Sequence, residues 1–239
     1  MILLDPEARP LVGHRGASGE YPENTLLAFD KALEQGADAL EFDVRLTAEG
    51  APVVIHDSTV DRTTDGSGDV RALTLAELHA LDAGSGERVP TLAQVLERYP
   101  DTPFIVEIKE VAAARPAAEV LTRHAAARRV VVGSFLQSAL RPFGGPAFHR
   151  SASRRETALF WAASRVGRAP AGTGFQAFAA PERHRRMTVV DRRFVTAARR
   201  RGKPVHVWTV DQLEDARRLR SLGVAGIITN YPERMREAL

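Results

Sequence analysis

The stretch "VGHRGASGEYPENTLLAF", from Val12 to Phe29, decides how the rest of the sequence is interpreted. An apolar run ends in His14 and Arg15, glycine- and proline-containing breaks follow, and only then does a helical pattern of apolar residues begin. This order is typical of a β-strand that passes through a loop into an α-helix. Packing does not require a histidine and an arginine at the end of a buried strand, so the pair indicates chemistry at that point.

The same alternation of short apolar runs and amphipathic stretches recurs about eight times along the chain. The predicted strands are Pro10–His14, Ala39–Val44, Pro103–Ile108, Val130–Gly133, Pro146–Ser151, Gly174–Phe178, Pro204–Trp208 and Gly226–Thr229. The predicted helices are Thr25–Gln35, Leu92–Arg98, Arg115–Ala127, Gln137–Pro142, Arg154–Arg165, Arg192–Arg201, Gln212–Leu222 and Pro232–Ala238. Strands that alternate with helices pair in parallel, and eight units in 239 residues favour a (β/α)8 TIM-type barrel over an open sheet.

One segment interrupts this alternation. After a strand-like run at Pro52–His56, residues 57–90 are rich in Asp, Thr, Ser and Gly and contain one short helical pattern near Leu75–Leu81. Compact functional loops have this composition. We predict a single barrel domain over residues 1–239, with residues 57–90 as a small insertion after the second strand.

Composition narrows the chemistry. The chain is 44% hydrophobic and 26% charged, which is typical of a soluble globular protein, and it contains no cysteine. Disulfides, thiolate nucleophiles and cysteine-bound metals are therefore excluded. The opening "MILLDPEARP" has too short an apolar run for a signal peptide, and no stretch approaches membrane-spanning length. These features predict a cytoplasmic protein; the oligomeric state does not follow from them.

The charges are unevenly distributed. Residues 1–110 contain 21 acidic and 9 basic residues, whereas residues 111–239 contain 9 acidic and 24 basic residues. A basic half can face an anionic surface such as membrane headgroups or nucleic acid, but an arginine-rich solvated exterior explains the same count. The arginines are not interleaved with aromatic residues, so we expect no nucleic-acid partner.

Three carboxylates fall on predicted strands in a pattern that suits a metal ion. Glu41 and Asp43 are two residues apart in "ALEFDVRL", so on a strand they face the same side, and Glu107 lies on the next predicted barrel strand. Buried carboxylates need a cation or strong hydrogen bonds. Oxygen ligands without cysteine suit Mg²⁺ or Ca²⁺, so the cluster predicts a divalent-cation site.

Two histidines end neighbouring strands beside these carboxylates. His14 and His56 are candidates for acid/base catalysis, because histidine titrates near neutral pH. Arg15 and Lys109 would supply positive charge for a phosphate-like anion. The C-terminal ends of barrel strands form the active-site face, so we expect all these side chains to meet there.

The motifs "HRGASGEYPENTLLAF", "EFDVRLTAEGAPVVIHD", "RTTDGSGDV", "VEIK" and "VWTVD" together resemble the glycerophosphodiester phosphodiesterase family over nearly the whole chain. The resemblance implies a (β/α)8 barrel with a small insertion after the second strand. It also implies site residues, namely His14 and His56 as catalytic residues, Glu41, Asp43 and Glu107 as metal ligands, and Arg15, Lys109 and Trp208 as substrate-binding residues.

The implied reaction is metal-dependent hydrolysis of a small-molecule glycerophosphodiester to glycerol 3-phosphate and an alcohol. Whether water or the glycerol hydroxyl attacks, and which histidine is the base, stay open. The alternative within this scaffold is a phosphodiesterase for lysophospholipids, for which "TALFWAASRV" would form an interfacial helix in peripheral contact with a membrane. A non-catalytic ligand-binding barrel is disfavoured, because neither histidine and none of the three carboxylates is missing.

Two regions depart from the family pattern. Between residues 148 and 189 the resemblance is thin, which leaves the leaving-group preference undefined. Near the C-terminus, "TNYP" places Asn230 where an aspartate is commoner, and we expect this difference to concern helix capping.

Overall fold

A computed structural model describes residues 1–239 and contains a closed (β/α)8 barrel. The strands are β1 (Leu11–His14), β2 (Ala39–Leu46), β3 (Pro52–Val54), β4 (Phe104–Ile108), β5 (Val130–Gly133), β6 (His149–Arg150), β7 (Phe178–Pro181), β8 (Arg183–His184), β9 (Met187–Thr188), β10 (Val205–Trp208) and β11 (Gly226–Thr229). The α-helices are α1 (Leu26–Glu34), α2 (Leu75–His79), α3 (Leu92–Arg98), α4 (Ala114–Arg123), α5 (Arg154–Arg165), α6 (Arg192–Arg199), α7 (Leu213–Leu222) and α8 (Pro232–Arg236).

Eight of the strands are parallel and form the barrel wall in the order β6, β5, β4, β2, β1, β11, β10, β7. The two ends of this path meet through one parallel bridge between Ser151 and Ala177, which closes the barrel. The predicted fold class is confirmed. Since every barrel strand runs in the same direction, all strand ends deliver their following residues to one face of the barrel.

Aromatic side chains fill the layer between the strands and the outer helices. Phe29, Phe42 and Tyr99 pack together on the side of β2 and β4. Phe160, Phe178 and Phe194 pack in the same manner between β7, α5 and α6. Both halves of the barrel therefore have well-packed cores, and the strand ends are held firmly in place.

Local signals fix where two of the helices begin. Thr91 caps α3 with a capping box that includes Gln94, and Ser153 caps α5 in the same way with Glu156. These side chains satisfy backbone N–H groups that have no partner inside the helix. The predicted bounds of both helices are confirmed.

The floor of the barrel, opposite the strand ends, is closed by a 3₁₀ turn at residues 2–4. Leu3 is fully buried among strand residues there, and its carbonyl accepts a hydrogen bond of 2.9 Å from Nε2 of His206. Burial lowers the pKa of His206 to about 4. This histidine is therefore part of the apolar floor and is neutral at physiological pH.

The segment after β3 is a compact insertion, as predicted. It contains α2 and a 3₁₀ turn at Val70–Ala72, and its apolar residues Val60, Val70 and Leu78 form one cluster with Val53 of β3. β3 itself pairs antiparallel with β2. The insertion is thus attached to the strand that carries Glu41 and Asp43.

Two local predictions for the second half are wrong. The helix predicted at Gln137–Pro142 is a 3₁₀ helix spanning Gln137–Phe143, and it contains Pro142, whose ring nitrogen cannot donate the hydrogen bond that an α-helix requires. The strand predicted at Gly174–Phe178 lies instead at Phe178–Pro181. Its register is set by pairing with β10, which begins at the pair Val205 and Phe178.

Two further details of this half differ from the prediction. The strand expected over Pro146–Ser151 is reduced to His149–Arg150, and an antiparallel hairpin of β8 and β9 follows β7 where no element was predicted. Among the helices, none combines the length and the apolar character that crossing a membrane would require.

Candidate active site

The three predicted carboxylates meet inside the mouth of the barrel. Asp43 on β2 is paired in register with Glu107 on β4, and Glu41 lies two residues earlier on β2. Ligand oxygens of all three lie within 4.8 Å of one another, although Glu41 is only 6% and Asp43 only 1% exposed. Like charges so close together and so poorly solvated repel strongly, and a cation bound between them would relieve this repulsion.

Two cations from the chain offset part of this charge. Lys109 Nζ lies 3.3 Å from Asp43 Oδ1 and 3.1 Å from Glu107 Oε1, and Arg15 Nε lies 3.1 Å from Asp43 Oδ2. Burial raises the pKa of Glu41 well above its ordinary value, with further contributions from Asp43 and Glu107. Burial also raises the pKa of Glu107, against the opposing charge of Lys109. A hard divalent cation fits this set of oxygen donors, since two cations leave three carboxylates incompletely neutralised.

A strained turn at the end of β1 brings Arg15 to the cluster. Arg15 has a φ of +55° and its backbone N–H lies 3.2 Å from Glu41 Oε2. Gly16 follows with a φ of +85°, and a Cβ there would lie 2.5 Å from backbone atoms of Ala28. Only glycine fits between β1 and α1 at this position. This requirement explains why "HRG" ends the first strand.

His14 is held by the last strand of the barrel. Its Nδ1 lies 2.7 Å from Oδ1 of Asn230, and its Nε2 lies 3.9 Å from Oε2 of Glu41. Burial, together with the charge of Arg15, lowers the pKa of His14. The capping role expected for Asn230 is wrong: α8 has Tyr231 as its N-cap with no side-chain cap, because the Asn230 side chain is turned towards His14.

His56 is held by a different device, which we call the Arg62 bridge. His56 Nδ1 lies 2.6 Å from Asp57 Oδ1, and Arg62 of the insertion donates from Nε to Asp57 Oδ2 over 2.6 Å. Both terminal nitrogens of Arg62 bind Glu23 over 2.8 Å, and Glu23 in turn accepts a hydrogen bond from Arg15 over 2.9 Å.

The Arg62 bridge has an electrostatic consequence. The hydrogen bond from Arg62 holds the pKa of Asp57 far below its ordinary value, and the contact with His56 adds to this effect. Asp57 is therefore an anion at physiological pH, beside one ring nitrogen of His56. Through Arg62, the insertion connects Asp57 beside His56 with Glu23 and Arg15 near His14. The sequence did not predict this connection.

An aromatic wall borders the mouth. Trp208, predicted from the sequence, lies at the end of β10, and its ring meets the ring of Phe135 edge-on with centroids 5.7 Å apart. Lys109 Nζ lies 5.9 Å from the centroid of Phe135. The sequence reasoning missed Phe135, which is half exposed; its place two residues after β5 was the available signal, since barrel sites use the residues that follow strands.

Asn24 is a second residue that the sequence reasoning missed. It is buried, has a φ of +59°, and donates from Nδ2 to Asp43 Oδ2 over 3.1 Å. Its Oδ1 is buried without a hydrogen-bond partner. The residue stands in the quoted "PENT", and asparagine is among the few residues that tolerate a left-handed backbone. The side chain that contacts Asp43 thus carries a buried oxygen that no group of the protein satisfies.

The helix expected to be interfacial, α5, packs its aromatic residues on the protein. Phe160 is buried, and Trp161 donates from Nε1 to the carbonyl of Thr188 over 3.0 Å, while Leu159 is 60% exposed. A groove of about 680 Å³ lies between α5 and α6, with Arg165 and other arginines along it. None of the predicted site residues lines this groove, so the candidate active site is the barrel mouth.

Proteins similar in sequence and proteins similar in structure belong to the same family. The model of the glycerophosphoryl diester phosphodiesterase family matches residues 14–234. A glycerophosphodiester phosphodiesterase of Caldanaerobacter subterraneus subsp. tengcongensis is 36% identical over 237 residues, covering 93% of this chain and 94% of the relative.

Two solved structures share the fold over nearly their whole length. One is a phosphodiesterase of Oleispira antarctica in complex with the product sn-glycerol-3-phosphate, with a TM-score of 0.80 and 28% identity, covering 97% of this chain and 96% of that one. The other is a glycerophosphodiester phosphodiesterase of Agrobacterium tumefaciens, with a TM-score of 0.79 and 29% identity, covering 95% of this chain and 99% of that one.

Proposed function

The chain belongs to the glycerophosphoryl diester phosphodiesterase family, and from this membership we propose that it hydrolyses glycerophosphodiesters to glycerol 3-phosphate and an alcohol. The observation that carries the proposal is the arrangement at the barrel mouth. Three carboxylates within 4.8 Å of one another, of which Glu41 and Asp43 are buried, lie beside two cations, and both predicted histidines are held at Nδ1.

In this proposal the phosphate of the substrate lies at the carboxylate cluster. Glu41, Asp43 and Glu107 would hold a divalent cation, Mg²⁺ or Ca²⁺, which when bound supplies positive charge against the phosphoryl oxygens. Arg15 and Lys109 provide fixed positive charge at the same place, and neither has to move, because Asp43 already orients both.

The histidines carry the protons. Both have Nδ1 engaged by an oxygen acceptor, so Nε2 of each ring is the atom available for exchange with the substrate. One histidine accepts the proton of the nucleophile, and the other donates a proton to the oxygen of the leaving alcohol. His14 is the last residue of β1 and His56 follows β3 by two residues, so different segments of the chain supply the two proposed proton carriers.

Trp208 and Phe135 form the apolar side of the mouth and are proposed to contact the carbon skeleton of the substrate. We further propose that residues 1–239 act as one domain, since the insertion contributes Arg62 to the site while it packs on β3. Cytoplasmic location and peripheral membrane contact both stay predictions.

The test is an assay of glycerol 3-phosphate release from glycerophosphocholine and glycerophosphoethanolamine. The protein is treated with EDTA and then supplied with Mg²⁺ or Ca²⁺. His14→Ala is compared with His184→Ala, an exposed histidine on the β8–β9 hairpin. We expect release that the cation restores and that only His14→Ala abolishes. Release from lysophosphatidylcholine in place of both substrates would contradict the proposed substrate class.

A further inference from the structure

The side chain that holds His14 is itself held in one orientation. Asn230 donates from its amide Nδ2 to Oδ2 of Asp211 over 2.7 Å and from its backbone N–H to Oδ1 of Asp211 over 2.8 Å. Thr229 adds a hydroxyl donor to the same Asp211 oxygen over 2.9 Å. Asp211 follows β10 and Asn230 follows β11, so two adjacent strand ends build this contact.

This arrangement decides which end of the amide faces His14. A carboxylate oxygen only accepts hydrogen bonds, so the NH₂ group of Asn230 must point to Asp211 and the carbonyl oxygen Oδ1 must point away. Oδ1 lies 2.7 Å from Nδ1 of His14 and 2.7 Å from the hydroxyl of Ser18. An amide oxygen accepts, so Nδ1 of the imidazole has to carry a proton.

We propose that Asn230 and Asp211 are positioning residues, which fix neutral His14 as the Nδ1–H tautomer and so leave the lone pair of Nε2 facing the carboxylate cluster. The available nitrogen lies on the side of Glu41, with 3.9 Å between Nε2 and Oε2. With the other tautomer, Nε2 would carry a proton and would be unable to accept one. The catalytic part of this inference rests on the proposed function, whereas the tautomer itself does not.

His56 offers an internal contrast. Its Nδ1 faces the carboxylate of Asp57 directly, over 2.6 Å, so a single side chain sets its tautomer. His14 has a neutral amide in that place and depends on a second residue, Asp211, to orient the amide. The tautomer of His14 therefore depends on a residue that His14 does not touch.

Nitrogen-15 NMR of histidine-labelled protein reports the tautomer without any activity measurement. Spectra are recorded with and without Mg²⁺ at about pH 8, above the ordinary imidazole pKa of about 6.5. The signals of His14 are assigned by their absence in His14→Gln. In the unsubstituted protein we expect a protonated Nδ1 and an unprotonated Nε2.

Three variants separate the roles. Asn230→Asp retains an acceptor and should keep the Nδ1–H tautomer. Asn230→Ala removes the acceptor, and Asp211→Asn frees the amide of Asn230 to turn, so both should increase the Nε2–H fraction. The matched control is Asp215→Asn on α7, whose carboxylate contacts Arg218 rather than the site.

Kinetic measurements on the same variants then test whether the tautomer of His14 matters for catalysis. Outer hydrogen-bond partners of this kind change activity about 10-fold to 100-fold, so we expect kcat to fall about 10-fold in Asn230→Ala and Asp211→Asn, with KM nearly unchanged. An Nε2–H tautomer in the unsubstituted protein, or a tautomer unaffected by Asn230→Ala, would overturn the proposal. The expected tautomers in a folded protein that cleaves no glycerophosphodiester would support the positioning device and contradict the proposed function.

Discussion

The two sides of the barrel mouth are both built from parallel strands, but they differ in how their buried charges are neutralised. On the side of β1, β2 and β4, charged side chains from several strands converge inside the barrel. On the side of β5, β6 and β7, the buried charge is paired locally: Arg150, 9% exposed, binds Glu156 through two hydrogen bonds of 2.8 Å. Convergence of unneutralised charge opposes folding more strongly than a buried charge with a local partner does.

Stability and function therefore depend on different sides of the same fold. Both sides have aromatic cores and capped helices, so neither is the weaker scaffold. Only the first side has more carboxylates than cations inside the barrel, and the left-handed residues Arg15 and Asn24 both contact Asp43 there. Substitutions on the first side should therefore change activity more than stability, and those on the second side the reverse.

The largest expected effect is on activity, from Asp43→Asn. This change removes one carboxylate of the cluster and leaves Arg15 and Lys109 without their shared partner. We expect kcat/KM to fall about 1000-fold or more, equivalent to about 4 kcal/mol of transition-state stabilisation. The control is Asp101→Asn, the same substitution at the opposite end of the barrel next to β4, and it should retain activity.

The converse is expected on the second side, from Glu156→Ala. It leaves the guanidinium of Arg150 without its partner and removes the capping box of α5, so the free energy of unfolding should fall by about 3 kcal/mol. Urea denaturation measures this loss, and kcat/KM of the folded variant should stay within about twofold of the original. If Glu156→Ala kept its full stability and lost most of its activity, the proposed difference between the two sides would be contradicted.

A moderate loss of activity is expected from Arg62→Ala, which breaks the bridge between Asp57 and Glu23. With His56 and Arg15 both less well oriented, kcat should fall about 30-fold, or about 2 kcal/mol. Arg71→Ala, also in the insertion and about half exposed, is the matched control and should have little effect. Equal losses in the two variants would mean that the insertion acts only through its folding.

A smaller effect, on stability, is expected from Glu41→Gln in protein treated with EDTA. Burial raises the pKa of Glu41 above its ordinary value of 4.5, with contributions from Asp43 and Glu107. Above pH 4.5 the unfolded chain releases this proton while the folded chain retains it, so the stability of the unsubstituted protein falls as the pH rises through this range. Glutamine has no such proton, and near pH 7 the variant should be more stable by about 1 kcal/mol.

Urea unfolding at low and neutral pH measures this difference, which should be smaller near pH 5 than near pH 7. Added Mg²⁺ should stabilise only the protein with Glu41 and reverse the order. Glu119→Gln, an exposed carboxylate on α4, should show neither effect. A variant that is less stable than the original protein at both pH values in EDTA contradicts the electrostatic argument.

The smallest effect concerns the peripheral membrane contact that the lysophospholipid alternative implies for the second side. Sedimentation with anionic vesicles at low salt should retain a fraction of the protein that is lost at high salt, because arginines dominate this exterior. Leu159→Ala removes an exposed apolar side chain from α5 and should lower the bound fraction about twofold. Val111→Ala, half exposed next to α4, is the control. Absence of any bound protein would identify the arginines as ordinary solvated surface.

The sequence predicted an element correctly where residues close together in the chain determine its structure. The first residues of α3 and α5 follow from capping boxes within four residues, and β5 at Val130–Gly133 is an uninterrupted apolar run. The register of β7 could not be found in this way, because it is set by β10, about 27 residues further along the chain.

The same division holds for the candidate site. The carboxylates and histidines were recognised because they stand on predicted strands, or directly after them, within short motifs. The roles of Arg62 and Asn230 were missed because each depends on partners elsewhere: Arg62 on Glu23, 39 residues away, and Asn230 on His14, 216 residues away. A single sequence predicts which residues end the strands more readily than which of them touch.

The contact between the first and last barrel strands has a consequence for how the protein is made. β1 pairs with β11, and His14 meets Asn230 only across this seam. A ribosome-bound chain that still lacks its final strand can form much of the wall, yet it has no complete candidate site, and contacts of such long sequence separation form slowly. The candidate site is thus completed only when β1 and β11 pair. The rate at which activity recovers during refolding would measure how fast this pairing occurs.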